Sequence, residues 1–344
     1  PEESIAQEFS DIRAWTREYL TTQSYEEAKK TCNITKSRYH DVLPFDSNRV
    51  RLQAKPFASD FINASNVNFG SPLDVPAYIA CQAPLPSTFS DFWRMIWEQN
   101  TKVVVMLTNF IEKNVQKAHQ YWPEEGLQHQ YGNIIVTTLR TKTFHFLALR
   151  CIRLSLFNDE GVMIEKRDII HLHYTEWSDM GIPQSTKGIR NLIKLINCCS
   201  KRTAIATEPI VVHCSAGIGR AGTFIAIDEA VRRLDAKASS KNMERYVDVK
   251  NIVQTLRSKR IGMVQTLSQY QYIYKSIQEH MLTSGLYAAT HNETGAILLV
   301  QDLNLPSRLI GSHNGKNGTI LLMEEVRLER FQKHQAIGSP GSSG

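Results

Sequence analysis

The sequence has 344 residues, 42% of them hydrophobic and 22% charged, with a formal net charge of +6. That length allows one large core or two ordinary ones, and the composition excludes a disordered or fibrous chain. No stretch approaches the roughly 20 apolar residues that span a bilayer, and residues 1–10 carry three glutamates and no apolar core, so no secretory leader is expected.

Residues 1–30 predict a polar helix, because Ile5, Phe9, Ile12, Trp15 and Tyr19 recur at spacings of three and four. Phe61–Val67 and Ala77–Cys81 read as short strands between Pro, Gly and Asn turns. Thr88–Gln99 carries a helical stripe, Lys102–Leu107 is a short buried strand, and 131–157 reads as two strands of a meander. Ile169–Tyr174 alternates as another strand, and Thr186–Cys199 is helical. Pro209–His213 is an apolar strand that feeds a glycine-rich turn and a helix striped by Phe224, Ile227, Val231 and Leu234. Helices over Val247–Arg257 and Leu267–Met281 follow. These elements predict a layered α/β (α+β) domain over residues 1–284. Beyond Ser284 two apolar runs, Ala296–Val300 and Thr319–Met323, flank a Gly/Asn/Ser-rich stretch, so 285–344 is expected to be an appended hairpin or loosely ordered tail.

The six cysteines, at 32, 81, 151, 198, 199 and 214, form no CxxC pair, which argues against zinc and disulfides and for a reducing, intracellular, cytoplasmic setting. Five are expected to be small buried hydrophobes. Cys214 is different. It sits in Val212-His-Cys-Ser-Ala-Gly-Ile-Gly-Arg-Ala-Gly222, between a strand and a helix. A tight strand-to-helix loop turns backbone N–H groups inward, and the helix dipole adds partial positive charge. Such a nest binds a dianionic phosphate and stabilises a thiolate, so Cys214 is expected to be ionised at neutral pH. Arg220, six residues on, can return a bidentate fork to phosphoryl oxygens. No GxxxxGK[ST] or GxGxxG marks a nucleotide site, and no aromatic-interleaved basic stripe marks nucleic acid.

His213–Arg220 resembles the signature loop of the protein tyrosine phosphatases, and further segments resemble that family in order. They are the recognition loop Lys36–Val50, core segments Asp60–Ser65 and Tyr78–Pro84, and the stretch from Phe92 through Glu112 and Lys113 to Pro123. The mobile acid loop His173–Pro183 and the glutamine loop Gly262–Thr266 with Gln269 complete the set, over about residues 5–282. The resemblance implies a mixed, highly twisted central β-sheet flanked by helices, and tyrosine-specific hydrolysis without metal or cofactor. It assigns Cys214 as nucleophile, Arg220 as phosphate clamp, Asp179 as general acid and base, and Gln265 as water-positioning residue aided by Gln269. Loop residues Ser215, Ala216, Gly217, Ile218 and Gly219 would hold the phosphate. Tyr39 would set pocket depth against phosphoserine, Asp41 would hold the peptide backbone, and Gly262 would leave the mouth open. Glu112 would orient Arg220, Lys113 or Lys117 would lie near the acid loop with its Trp177, and Tyr121 and His213 would support the thiolate. Partners would be phosphotyrosyl proteins or peptides.

Ser178 replaces the family's usual proline in the acid loop, and Ala221 replaces a usual Ser or Thr hydroxyl that donates to the departing thiolate. Ser37 and Ala83 replace a common Asn and Gly. The first two keep a second reading open, that of an impaired phosphatase that binds phosphotyrosine without turning it over. A dual-specificity or lipid phosphatase is disfavoured, since Tyr39 and the glutamine loop are both present.

Overall fold

The computed structural model describes residues 2–53, 59–70, 78–177, 181–200, 208–238 and 247–284. Residues 285–344, expected as a hairpin or tail, lie outside them. The strands are β1 Arg49–Arg51, β2 Phe61–Val67, β3 Tyr78–Cys81, β4 Val103–Met106, β5 Ile111–Glu112, β6 Val115–Gln116, β7 Gln128–Tyr131, β8 Ile134–Phe144, β9 Leu147–Phe157, β10 Met163–Tyr174 and β11 Ile210–His213. The helices are α1 Glu2–Leu20, α2 Glu26–Lys29, α3 Thr31–Ile34, α4 Phe89–Glu98, α5 Lys187–Ser200, α6 Gly219–Ala238, α7 Val249–Lys259 and α8 Leu267–Thr283.

Nine strands form one mixed sheet in the order β1-β2-β3-β11-β4-β10-β9-β8-β7. Its centre, β3-β11-β4-β10, is parallel, and both flanks are antiparallel. Strands β3, β4 and β11 are buried along their whole length because both faces of the sheet are covered there, which is why Val103–Met106 is an unbroken apolar run. Alternation then sorts side chains between two cores. Tyr78, Ala80, Val103, Val105, Ile210 and Val212 join helices α1 and α5 to α8, whereas Ile79, Val104, Met106 and Val211 join α4, Tyr121 and Trp122. Each fully buried large apolar side chain contributes about 1.5–3 kcal/mol.

Three expectations are corrected. The first helix ends at Leu20, not at 30, because the Thr21 and Thr22 hydroxyls donate to the carbonyls of Glu18 and Tyr19 and close its last turn. A new start follows, with Asp46 accepting the N–H groups of Glu26 and Glu27. Strand β10 begins at Met163, six residues before the predicted Ile169. Its outer half, Met163–Asp168, faces solvent even at Met163 and Ile164, so cross-strand pairing with β9 rather than burial holds it. Cys32 is exposed and Cys151 half-buried, so only Cys81 joins Cys214 inside among the described cysteines.

Candidate active site

Strand β11 is apolar and sits at the centre of the sheet, which delivers Cys214 to the carboxyl edge of the parallel strands. The chain then turns through Ser215–Ile218 into the N-terminus of α6 at Gly219. Every carbonyl of that turn is pinned on its outer side. Cys214 O accepts from His213 Nδ1 at 3.1 Å, and Ser215 O from the Ala83 N–H at 2.9 Å. Ala216 O and Gly217 O accept from Arg260 Nη2 and Nε at 3.0 and 3.1 Å, and Ile218 O from the N–H groups of Gly222 and Val264. A trans peptide holds C=O and the next N–H in opposite directions, so residues 215–219 turn their N–H groups into the cup. The Gly217 N–H reaches Cys214 Sγ at 3.3 Å. Gly217 has φ +74°, and a Cβ there would overlap the Cys81 carbonyl, so only glycine fits.

Arg220 leaves the first turn of α6 and is almost fully buried. Its Nη1 and Nη2 bond Glu112 Oε1 and Oε2 at 2.7 and 2.5 Å, and Nη1 also reaches the carbonyls of Leu107 and Trp177. Glu112 is itself placed by β5, whose turn to β6 runs through Lys113 and Asn114 at positive φ. Trp177, fully buried, donates from Nε1 to Gly181 O. Ser178 and Asp179, expected in the acid loop, lie outside the described residues.

A cavity of about 250 Å³ opens over Cys214. Tyr39 and Asp41 form one wall, Lys117 another, and Gln265 and Gln269 a third. The Tyr39 hydroxyl bonds Ser215 Oγ at 2.9 Å, and Ser215 Oγ donates to Lys117 O at 2.7 Å. Gln265 is exposed and faces Gly219, whose added Cβ would lie 3.0 Å from Gln265 Oε1. Val264, at φ +59°, makes the reversal that aims Gln265 there. Gln269 is buried and also caps α8: its Oε1 accepts the Gln265 N–H, while its own N–H donates to Thr266 Oγ1. Gly262, at φ +69°, faces Ile218 Cδ1, where an added Cβ would approach to 3.4 Å. Lys113 lies exposed in the β5–β6 turn and is not among the cavity's lining residues; Lys117 is.

Under the loop, His213 Nδ1 must carry the proton it gives to Cys214 O, so Nε2 accepts from the Tyr121 hydroxyl at 2.7 Å. Burial pushes His213 down to about 3 and keeps it neutral, and raises the Tyr121 phenol well above its usual range.

Sequence reasoning missed three arginines. Arg260 is fully buried; besides two loop carbonyls it bonds Asn63 Oδ1 at 2.7 Å and Ser65 Oγ at 3.2 Å. Among the described residues it has no carboxylate partner, and desolvation lowers it to about 10, so it stays charged beside Cys214. Arg257 pins the carbonyls of Met263 and Val264 in the glutamine loop. Arg38 holds the recognition loop to the Ala83 and Pro84 carbonyls. All three act largely on backbone carbonyls, which no local motif announces.

Residues 33–279 match the family model described as protein-tyrosine phosphatase. The chain is 39% identical over 259 residues to tyrosine-protein phosphatase 3 of Dictyostelium discoideum, covering 74% of this chain but 26% of that protein. It is 35% identical over 297 residues to protein-tyrosine-phosphatase PTP1 of Arabidopsis thaliana, covering 84% and 83%. The human protein tyrosine phosphatase non-receptor type 18 catalytic domain superposes with a TM-score of 0.72 at 30% identity, covering 80% of this chain and 96% of that one. A structure of PTPN18 in complex with HER2 phosphopeptides superposes equally well, at 29% identity and with 80% and 99% covered.

Proposed function

The chain belongs to the protein-tyrosine phosphatase family, and from that premise we propose that it hydrolyses phosphotyrosine in proteins through a cysteinyl-phosphate on Cys214. The observation that carries this is the convergence of the outward-pinned loop, Arg220 and the Cys214 sulfur on one cavity. The amides of Ser215–Gly219 and the Arg220 fork bind the phosphoryl oxygens, and Cys214 S⁻ attacks phosphorus in line. As the P–O bond breaks, Asp179 gives its proton to the tyrosyl oxygen. A water placed by Gln265 then loses a proton to Asp179 and attacks phosphorus. The P–S bond breaks, the thiolate returns and inorganic phosphate leaves. Preorganised donors around the developing charge supply most of the rate.

Tyr39, tethered to Ser215, sets the depth at which an aryl phosphate reaches sulfur, and Asp41 holds the peptide backbone. Lys117, which lines the cavity, is the lysine we assign to the acid-loop side. Partners are phosphotyrosyl proteins, which the relative PTPN18 binds as HER2 phosphopeptides. Among the described residues no helix is long and apolar enough to cross a membrane, and the setting we assign is the reducing cytoplasm.

Wild type, Cys214→Ser and Asp179→Ala, each given a phosphotyrosyl and a phosphoseryl peptide without added metal, test the reading. Turnover of the phosphotyrosyl peptide alone, lost in Cys214→Ser, is expected. Tight binding without turnover in wild type would instead indicate a phosphotyrosine-binding module, and equal phosphoserine turnover a dual-specificity enzyme.

A further inference from the structure

The hydrogen bonds below the loop continue past Tyr121. Its hydroxyl also lies 2.8 Å from His171 Nε2, and His171 Nδ1 lies 3.5 Å from Arg150 Nη1. Arg150 and His171 are cross-strand partners on β9 and β10, and the guanidinium stacks 4.4 Å over the Trp122 ring. Tyr121, His171 and His213 are fully buried. Burial, with Arg150 beside it, holds His171 well below the ordinary imidazole range, so both histidines are neutral.

A neutral imidazole has one donor and one acceptor, a carbonyl only accepts, and a guanidinium only donates. The two ends therefore fix the middle. Cys214 O demands the His213 Nδ1–H, so His213 Nε2 takes the Tyr121 proton. The Tyr121 oxygen then accepts from His171 Nε2–H, and His171 Nδ1 accepts from Arg150. We propose that Arg150 and His171 are positioning residues that enforce this proton order, and so hold the Cys214–Ser215 peptide with its N–H turned to the thiolate. The reversed order would set the His213 Nδ1 lone pair against Cys214 O, and it needs an acceptor at position 150. Arginine forbids it. This rests on the reading of Cys214 as a thiolate nucleophile and extends its support to residues two strands away.

Other titratable groups remain in place in the test: Arg220, Glu112, Arg260, Cys81, Lys117 and Asp41 about the sulfur, and His173, Glu124 and Arg38 about the relay.

Two measurements decide it. Nitrogen-15 NMR of histidine-labelled wild type should show the Nδ1–H tautomer at His213 and the Nε2–H tautomer at His171; the opposite tautomer at either overturns the proposal without any variant. Second, the rate of Cys214 alkylation by iodoacetamide is followed against pH. Arg150→Met should move the midpoint to higher pH, slowing alkylation about threefold to tenfold in mild acid but not in alkali. Arg150→Lys, which keeps a donor, should restore it, and Tyr121→Phe should give the same shift with no addition in the double variant. A folded Arg150→Met protein with the wild-type midpoint overturns the relay. A wild-type thiol that alkylates like free cysteine overturns the nucleophile reading instead.

Discussion

Glu112 and Arg220 meet as a parallel fork, carboxylate to guanidinium, with contacts of 2.7 and 2.5 Å inside the protein. Glu112 comes from a two-residue strand whose turn uses two left-handed residues, so a small hairpin aims the phosphate clamp. Glu112→Ala is expected to lower kcat/KM on a phosphotyrosyl peptide by about tenfold to a hundredfold, as loss of one or two charge-assisted bonds implies. Unchanged kinetics would remove Glu112 from the account.

Arg260→Met leaves two loop carbonyls, Asn63 Oδ1 and Ser65 Oγ without their donor. The expected cost is about 2–5 kcal/mol in urea unfolding, since each stranded buried acceptor costs about 1–3 kcal/mol and some will find water. Competitive inhibition by inorganic phosphate should weaken as well. A stable variant with unaltered phosphate affinity would show that the loop holds its shape without Arg260.

Gly217→Ala forces a Cβ onto the Cys81 carbonyl and a side chain into left-handed φ, which alone costs about 1–2 kcal/mol. The β11–α6 loop must then move away from β3. Loss of more than tenfold in kcat/KM is expected while far-UV circular dichroism stays native. Full activity would mean that the cup tolerates a different turn.

Ala221 is fully buried in the first turn of α6, with no hydroxyl to offer the departing sulfur. Ala221→Ser is expected to speed breakdown of the phosphoenzyme by about tenfold. Pre-steady-state kinetics with para-nitrophenyl phosphate would read this as a smaller burst and a faster steady phase. No change in either phase would show that this hydroxyl is dispensable here.

His213 and His173 are lowered by burial, to about 3 and about 4. In the unfolded chain each takes up a proton near pH 6.5, whereas the folded protein refuses it until far lower pH. Their stabilisation is therefore complete above about pH 6.5 and is lost as pH falls towards 4 and 3, by up to about 1.4 kcal/mol per pH unit for each histidine. Urea midpoints between neutral and acid pH should fall accordingly, and His173→Gln should flatten the slope. A flat profile in wild type would contradict neutral burial.

Much of this was legible in the chain. The strand, glycine turn and helix around Cys214 announce themselves by local pattern, and the stripes of α4, α5 and α6 follow from period. Arg260 and Arg38 were not legible, because their partners are remote in sequence and mostly carbonyls, and a charged residue after α7 or in a loop looks like solvent-facing polarity. The outer half of β10 was hidden for a related reason: Glu165, Lys166 and Asp168 hold their places by backbone pairing with β9 rather than by burial. Arg150 and His171 likewise meet only across strands.

The most direct measurement is acid-quenched, single-turnover reaction with a radiolabelled phosphotyrosyl peptide, followed by peptide mapping. Label should appear transiently on the peptide containing Cys214, decay at the rate of phosphate release, and be absent in Cys214→Ser. Release of phosphate at full rate with no label on that cysteine, or from the serine variant, would contradict covalent transfer through this sulfur.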